Sequence, residues 1–127
     1  GYERQVVENL AQVVASLCGL TIYEVLEDTT RVFSKHARWF YWFAYKYMTN
    51  ESCEVISKRN DKYKHFHPNS ISSGISNMSM MISEQPIWAK RWSIVKRIIL
   101  QINNVEKQDI KVKIQHPKGV NIEIKQE

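Results

Sequence analysis

Between Lys62 and Ser83 the chain carries no carboxylate, although acids are scattered through the rest of it, and the residue types gathered there suit a surface that meets an anion. Asn69, Ser70, Ser73 and Asn77 are short hydrogen-bonding side chains of the kind that read base edges: Asn pairs bidentately with adenine, and Ser with either base type. Lys62, Lys64 and His67 precede them, Lys58 and Arg59 lie just upstream, and Lys35 and Arg38 stand further back. These cations are the candidates for phosphate contact. Arg38 is the foremost of them, because an Arg inside an otherwise aromatic segment needs an anionic partner or an exposed face. Other chemistries are poorly served. His65 and His67 have no third Cys, Asp or Glu to complete a set, whereas zinc takes three or four ligands, so neither a metal nor another cofactor is expected. The many Ser residues lack an evident His supported by Asp, and no enzyme is expected.

Reading base edges requires an element that enters the major groove without bulk or negative charge, and a helix with a small polar face meets that need. Ile71, Ile75, Met78 and Ile82 recur at spacings of four, three and four, which stacks them on one side of a helix over Asn69 to Ser83 and leaves the Ser and Asn residues on the others. Pro68 suits its first turn, and His67 before it is a phosphate contact or a cap. Upstream, Val6, Val7, Leu10, Val13, Val14 and Leu17 predict a helix ended by Gly19. Thr21 and Glu24 form a capping-box pattern for a short helical turn. A long helix from Arg31 to Met48 carries Phe33, Ala37, Phe40, Tyr41, Ala44, Tyr47 and Met48 on one side, and Trp39 and Trp42 widen that face until several helices must pack around it. Thr49 to Ser52 is a stop and restart before a short helix with Val55 and Ile56. After Glu84-Gln85-Pro86, a last helix from Ile87 to Ile102 places Trp88, Trp92, Val95, Ile99 and Ile102 on one stripe, with Lys90, Arg91, Lys96 and Arg97 largely off it. Beyond Asn104 the period becomes two, at Ile110, Val112 and Ile114 and again at Val120, Ile122 and Ile124. That pattern predicts a β-hairpin, which needs a surface to lie on.

At 127 residues and 43% hydrophobic composition the chain suits a single core. A net charge of +5 favours an anionic partner such as nucleic acid without demanding one. Cys18 and Cys53 lie in no metal-ligand spacing, and Cys18 in an apolar helical pattern reads as a buried free thiol, consistent with a reducing, cytoplasmic setting. The segment Tyr2 to Gln5 lacks signal-peptide architecture, and the longest apolar run, Trp39 to Tyr45, is too short to span a bilayer. A soluble protein with no membrane partner is expected.

Read in order, Val13-Val14-Ala15 with Gly19-Leu20, then Glu24 and Leu26, Arg31, Ala37-Arg38 before the aromatic helix, Ser52 and Ile56, and Asn69-Ser70-Ile71 resemble the C-terminal DNA-binding domain of the bacterial replication initiator DnaA over roughly Val6 to Ile102. The resemblance implies an all-α, five- to six-helix Trp-repressor-like bundle with a helix-turn-helix, in which the Ser-rich helix is the recognition helix. It implies double-stranded DNA as partner, replication initiation or regulation as setting, and a minor-groove contact for Arg31, the one basic residue left in the loop before the long helix. Arg38 occupies the family's Ala-Arg pair. Where the family's recognition helix opens with Arg-Asp-His, two Thr or Ser, and Val, this chain reads Phe66, His67, Pro68, Asn69, Ser70 and Ile71, retaining the small polar pair and the apolar residue. A Gly-rich phosphate loop is absent, so the ATPase of a full initiator is not expected. The expected organisation is a helical domain over residues 2–104 and a hairpin extension over 105–127, the hairpin offering an edge for a homodimer or a partner protein. The lost Arg and the acidic Glu27-Asp28 loop motivate a second expectation, a protein-interaction module on the same scaffold that no longer binds DNA.

Overall fold

A computed structural model describes residues 2–59 and 62–102, all of whose regular structure is helical. The hairpin and the domain boundary after Asn104 lie outside the described residues. In chain order the helices are α1 (Tyr2–Cys18), α2 (Ile22–Leu26), α3 (Val32–Thr49), α4 (Cys53–Lys58), α5 (Pro68–Glu84) and α6, which covers residues 86–102. Residues Gly1–Val95 form one compact unit, and packing is described within it. Beyond Val95, on the continuation of α6, Ile99 is buried while Lys96, Arg97, Leu100 and Ile102 are exposed.

Helix ends fall where local chemistry puts them. Gly19 takes φ +68, the left-handed geometry glycine adopts freely, and the next amide, Leu20 N–H, closes α1 onto Ala15 O at 2.9 Å. Thr21 and Glu24 make the reciprocal capping box: Glu24 N–H donates to Thr21 Oγ1 at 3.1 Å, and Thr21 N–H donates to Glu24 Oε1 at 2.8 Å. Asn50, at φ 56, ends α3, and Ser52 caps α4 by accepting from Val55 N–H.

The core forms around α3, which packs against α1, α2, α4 and α5. On α3, Ala37, Phe40, Tyr41, Trp42, Ala44 and Tyr45 are buried, and each large apolar side chain removed from water contributes about 1.5–3 kcal/mol. Phe40 meets Trp88 of α6 at 5.3 Å, and Trp92 takes Phe43 and Tyr47 edge-on at 4.8 and 5.1 Å. Three expected stripes shift. In α1 the buried line is Val7, Leu10, Ala11, Val14, Ala15 and Cys18, with Val6, Val13 and Leu17 at its edges. Phe33 and Tyr47 lie at the ends of α3's apolar face and remain partly exposed, Phe33 beneath the Arg91 guanidinium at 5.5 Å. In α5 the buried line runs Ile71, Gly74 and Met78, while Ile75 and Ile82 flank it.

Candidate nucleic-acid interface

Cys53–Lys58 and Pro68–Glu84 are two helices joined by a connecting turn, described at residue 59 and residues 62–67. The turn is tied down by Ser57, whose hydroxyl donates to Phe66 O at 2.6 Å, and by Phe66 itself, whose ring meets Trp42 of the core at 5.4 Å. Pro68 opens α5, and His67 caps it: Nδ1 accepts Asn69 N–H at 3.0 Å. With Nδ1 accepting, a neutral His67 carries its proton on Nε2, which leaves a donor on an exposed ring. The helix seats closely on α3 because position 74 has no side chain. A Cβ there would stand 2.5 Å from Trp39 Cδ1 and 2.9 Å from Trp42 Cε3.

Opposite α5, the loop before α3 is organised by Asp28. Its carboxylate accepts four hydrogen bonds, from Thr30 Oγ1, Thr30 N–H, Arg31 Nε and Ser34 Oγ. Those donors, Thr30 foremost, hold the carboxyl well below the usual carboxylate range. Arg31 bridges outward from Asp28 to the Glu24 carboxylate and keeps its side chain 60% exposed. The Glu24 carboxyl is also lowered, first by the Thr21 backbone N–H and then by Arg31.

Between the two halves lies a cavity of about 500 Å³. Arg31, Lys35 and Arg38 line it from the loop and α3, Asn69, Ser70 and Ser73 from α5, and the wall includes aromatic rings but no carboxylate. Half of the twelve sequence-derived candidates thus meet at one place. Lys35 is exposed, with Nζ 5.4 Å from the Trp39 ring centre. Arg38 is turned inward, at 3% exposure: Nε donates to Val25 O at 3.0 Å, a second nitrogen donates to Asp28 O, and the guanidinium lies 4.8 Å from the Phe66 ring centre. Burial pulls its pKa down while the Asp28 charge pushes it up. The expected anionic partner of Arg38 is therefore replaced, for these two nitrogens, by backbone carbonyls, and its evident work is to lock the α2–α3 loop onto α3.

The other candidates lie outside the cavity wall. Lys58 is exposed at the end of α4. Arg59 grips Glu51 with both Nη2 (2.7 Å) and Nε (3.3 Å), and Lys62 pairs with Glu8 at 2.9 Å. Lys64 donates its backbone N–H to Glu27 at 3.1 Å and extends its ammonium over Phe66 at 5.5 Å. Asn77 is exposed one turn beyond Ser73. Sequence reasoning missed Trp39, Phe66 and Gly74 as parts of this site. A lone Gly inside a helical pattern was the available signal, since it marks a close approach. Among the described residues there is no group of three His, Cys, Asp or Glu placed to hold a metal, and no helix long and apolar enough to cross a membrane.

No protein-family model, curated protein or solved structure matches the chain.

Proposed function

We propose that this chain is a non-enzymatic, double-stranded DNA-binding protein that uses α4, the turn and α5 as a helix-turn-helix, with the N-terminal half of α5 in the major groove. The observation that carries the reading is the convergence of Asn69, Ser70 and Ser73 with Arg31, Lys35 and Arg38 on one carboxylate-free cavity at the start of α5. Lys35, Lys58, Lys64 and His67 supply phosphate contacts around it, and Asn69, Ser70, Ser73 and Asn77 supply base contacts. The resemblance to the DnaA C-terminal domain adds the setting, replication initiation or regulation in a bacterium.

A fluorescence-anisotropy titration against duplex DNA at 50 and 200 mM salt tests this. Neutralisation of three phosphates by Lys35, Lys58 and Lys64 corresponds to a salt slope of about −2.7, or roughly fortyfold weaker binding across that range, while a neutral His67 adds a hydrogen bond and no slope. Lys35→Ala with Lys64→Ala should lower the slope by about 2. Absence of duplex binding at 50 mM salt would favour the second reading, a protein-interaction module. One feature supports that alternative: Arg31, Arg59 and Lys62 already pair with carboxylates of this chain.

A further inference from the structure

The major-groove reading uses residues of the cavity wall but assigns nothing to the space they enclose. A stacked duplex presents only base edges to a recognition helix, and a concave site of about 500 Å³ is more than an edge requires. That volume falls in the range of about 300–1,000 Å³ over which pockets enclose small ligands. Its chemistry is that of a nucleotide site. Trp39, Trp42 and Phe66 provide aromatic walls, and Trp39 is only half-buried. Asn69, Ser70 and Ser73 are exposed and line the mouth, so the cavity opens on the polar side of α5 with amide and hydroxyl groups at hand. Lys35 lies over the Trp39 ring, yet it is an exposed, flexible side chain with no carboxylate partner among the described residues.

We infer that this cavity holds one unpaired nucleotide of a DNA strand, its base taking the place of Lys35 on the Trp39 ring and its phosphate drawing the Lys35 ammonium. The inference rests on the reading of this face as a DNA-binding surface. Arg31 is engaged by Asp28 and Glu24 and Arg38 by backbone carbonyls, so Lys35 is the lining cation that selects an anionic occupant; the rings select a planar one, and the exposed polar mouth beside Asn77 favours a strand continuing along α5 over a free molecule. Base stacking on an aromatic side chain has the strength such a site needs, and a base that is already unpaired avoids most of the cost of leaving a stack.

The test compares a perfect duplex with the same duplex carrying one unpaired nucleotide, titrated against the full chain by anisotropy. The bulged duplex should bind roughly tenfold tighter, the scale of one stacked base. Trp39→Leu, checked for folding by circular dichroism, should erase the difference between the two duplexes. A readout without substitution comes from the wild-type ¹H–¹⁵N spectrum: the Trp39 indole Nε1–H and the Ser73 amide should shift with the bulged duplex by more than with the perfect one. Equal affinities with an unmoved Trp39 indole would overturn the pocket assignment while leaving duplex binding intact. Failure of both duplexes to bind would overturn the assignment and the DNA reading together. Competition by free dAMP at micromolar concentration would overturn the strand as the source of the nucleotide.

Discussion

Replacing Gly74 with Ala tests how closely α5 is held to the core. Two effects oppose each other. Ala is favoured over Gly in a helix interior by about 1 kcal/mol, so an open site would make the variant more stable. The new methyl, however, would stand 2.5 Å from Trp39 Cδ1 and 2.9 and 3.0 Å from two ring atoms of Trp42. Trp42 is 3% exposed and also packs on Phe66, so its ring cannot yield freely. Overpacking of this sort costs about 1–3 kcal/mol. With two rings to be displaced, the upper part of that range applies, and the net loss is about 1–2 kcal/mol, a fall in Tm of roughly 5–15 °C for a unit of this size. Thermal unfolding followed by far-UV circular dichroism reads the change, with exposed Ser73→Ala as the neighbouring control, expected to be neutral or slightly stabilising. Duplex affinity should fall with Gly74→Ala as well, because α5 must move off α3 to make room. A Gly74→Ala protein as stable as the parent, or more so, would refute the close-packing argument and with it the geometry assigned to the cavity.

Further outcomes follow from the same packing. Arg38→Ala leaves Val25 O and Asp28 O without their buried donor, and a loss of about 2–4 kcal/mol in urea unfolding is expected, since hydrogen bonds to a charged group are each worth about 1.5–3 kcal/mol. Asp28 makes stability acid-sensitive: its folded pKa lies below its unfolded value near 3.9. Its contribution is therefore complete above that value and is lost as the pH falls through the folded pKa. Asp28→Asn should flatten the decline measured by thermal melts from pH 5 downward. Tyr41 buries a hydroxyl with no hydrogen-bond partner among the described residues; Tyr41→Phe removes that unsatisfied group and should raise stability by up to about 1 kcal/mol, read as a higher Tm. Cys18 is buried and its thiol is pushed up by desolvation, so in a thiol-reagent assay it should react far more slowly than half-buried Cys53.

Elements with strong local grammar were legible in the chain. Gly19, the Thr21–Glu24 box and His67-Pro68 mark their boundaries through bonds between residues no more than five apart, and local bonds of this kind leave local patterns. The Ser-rich helix and the aromatic α3 were readable for the same reason, as periods along one strand of sequence. What escaped depends on meetings between distant segments. That Arg38 turns toward Val25 rather than outward depends on how the α2–α3 loop folds back. That Lys62 finds Glu8, and Arg59 finds Glu51, depends on α1 and the α3–α4 corner arriving beside the turn. Spacing along the chain carries no such information, so charge counted in sequence does not show which cations already have carboxylate partners in the fold.

These internal ion pairs bear directly on the proposed function. Exposed ion pairs are worth about 0–1 kcal/mol, so Arg31, at 60% exposure, can exchange the Glu24 carboxylate for a phosphate at little cost, whereas Asp28, satisfied by four donors, would keep its share of the same guanidinium. Arg59, held at both nitrogens by half-buried Glu51, is less exchangeable still. The salt slope counts the outcome. If Arg31, Arg59 and Lys62 stay with their carboxylates, the cations Lys35, Lys58 and Lys64 remain and the slope is about −2.7; if all three are released, six cations give about −5.4. A slope near the first value, made shallower by Lys35→Ala but not by Arg59→Gln, locates the DNA backbone along the starts of α3 and α5. A slope near the second would mean that DNA dismantles these ion pairs, and Arg59→Gln should then cost affinity as much as Lys35→Ala.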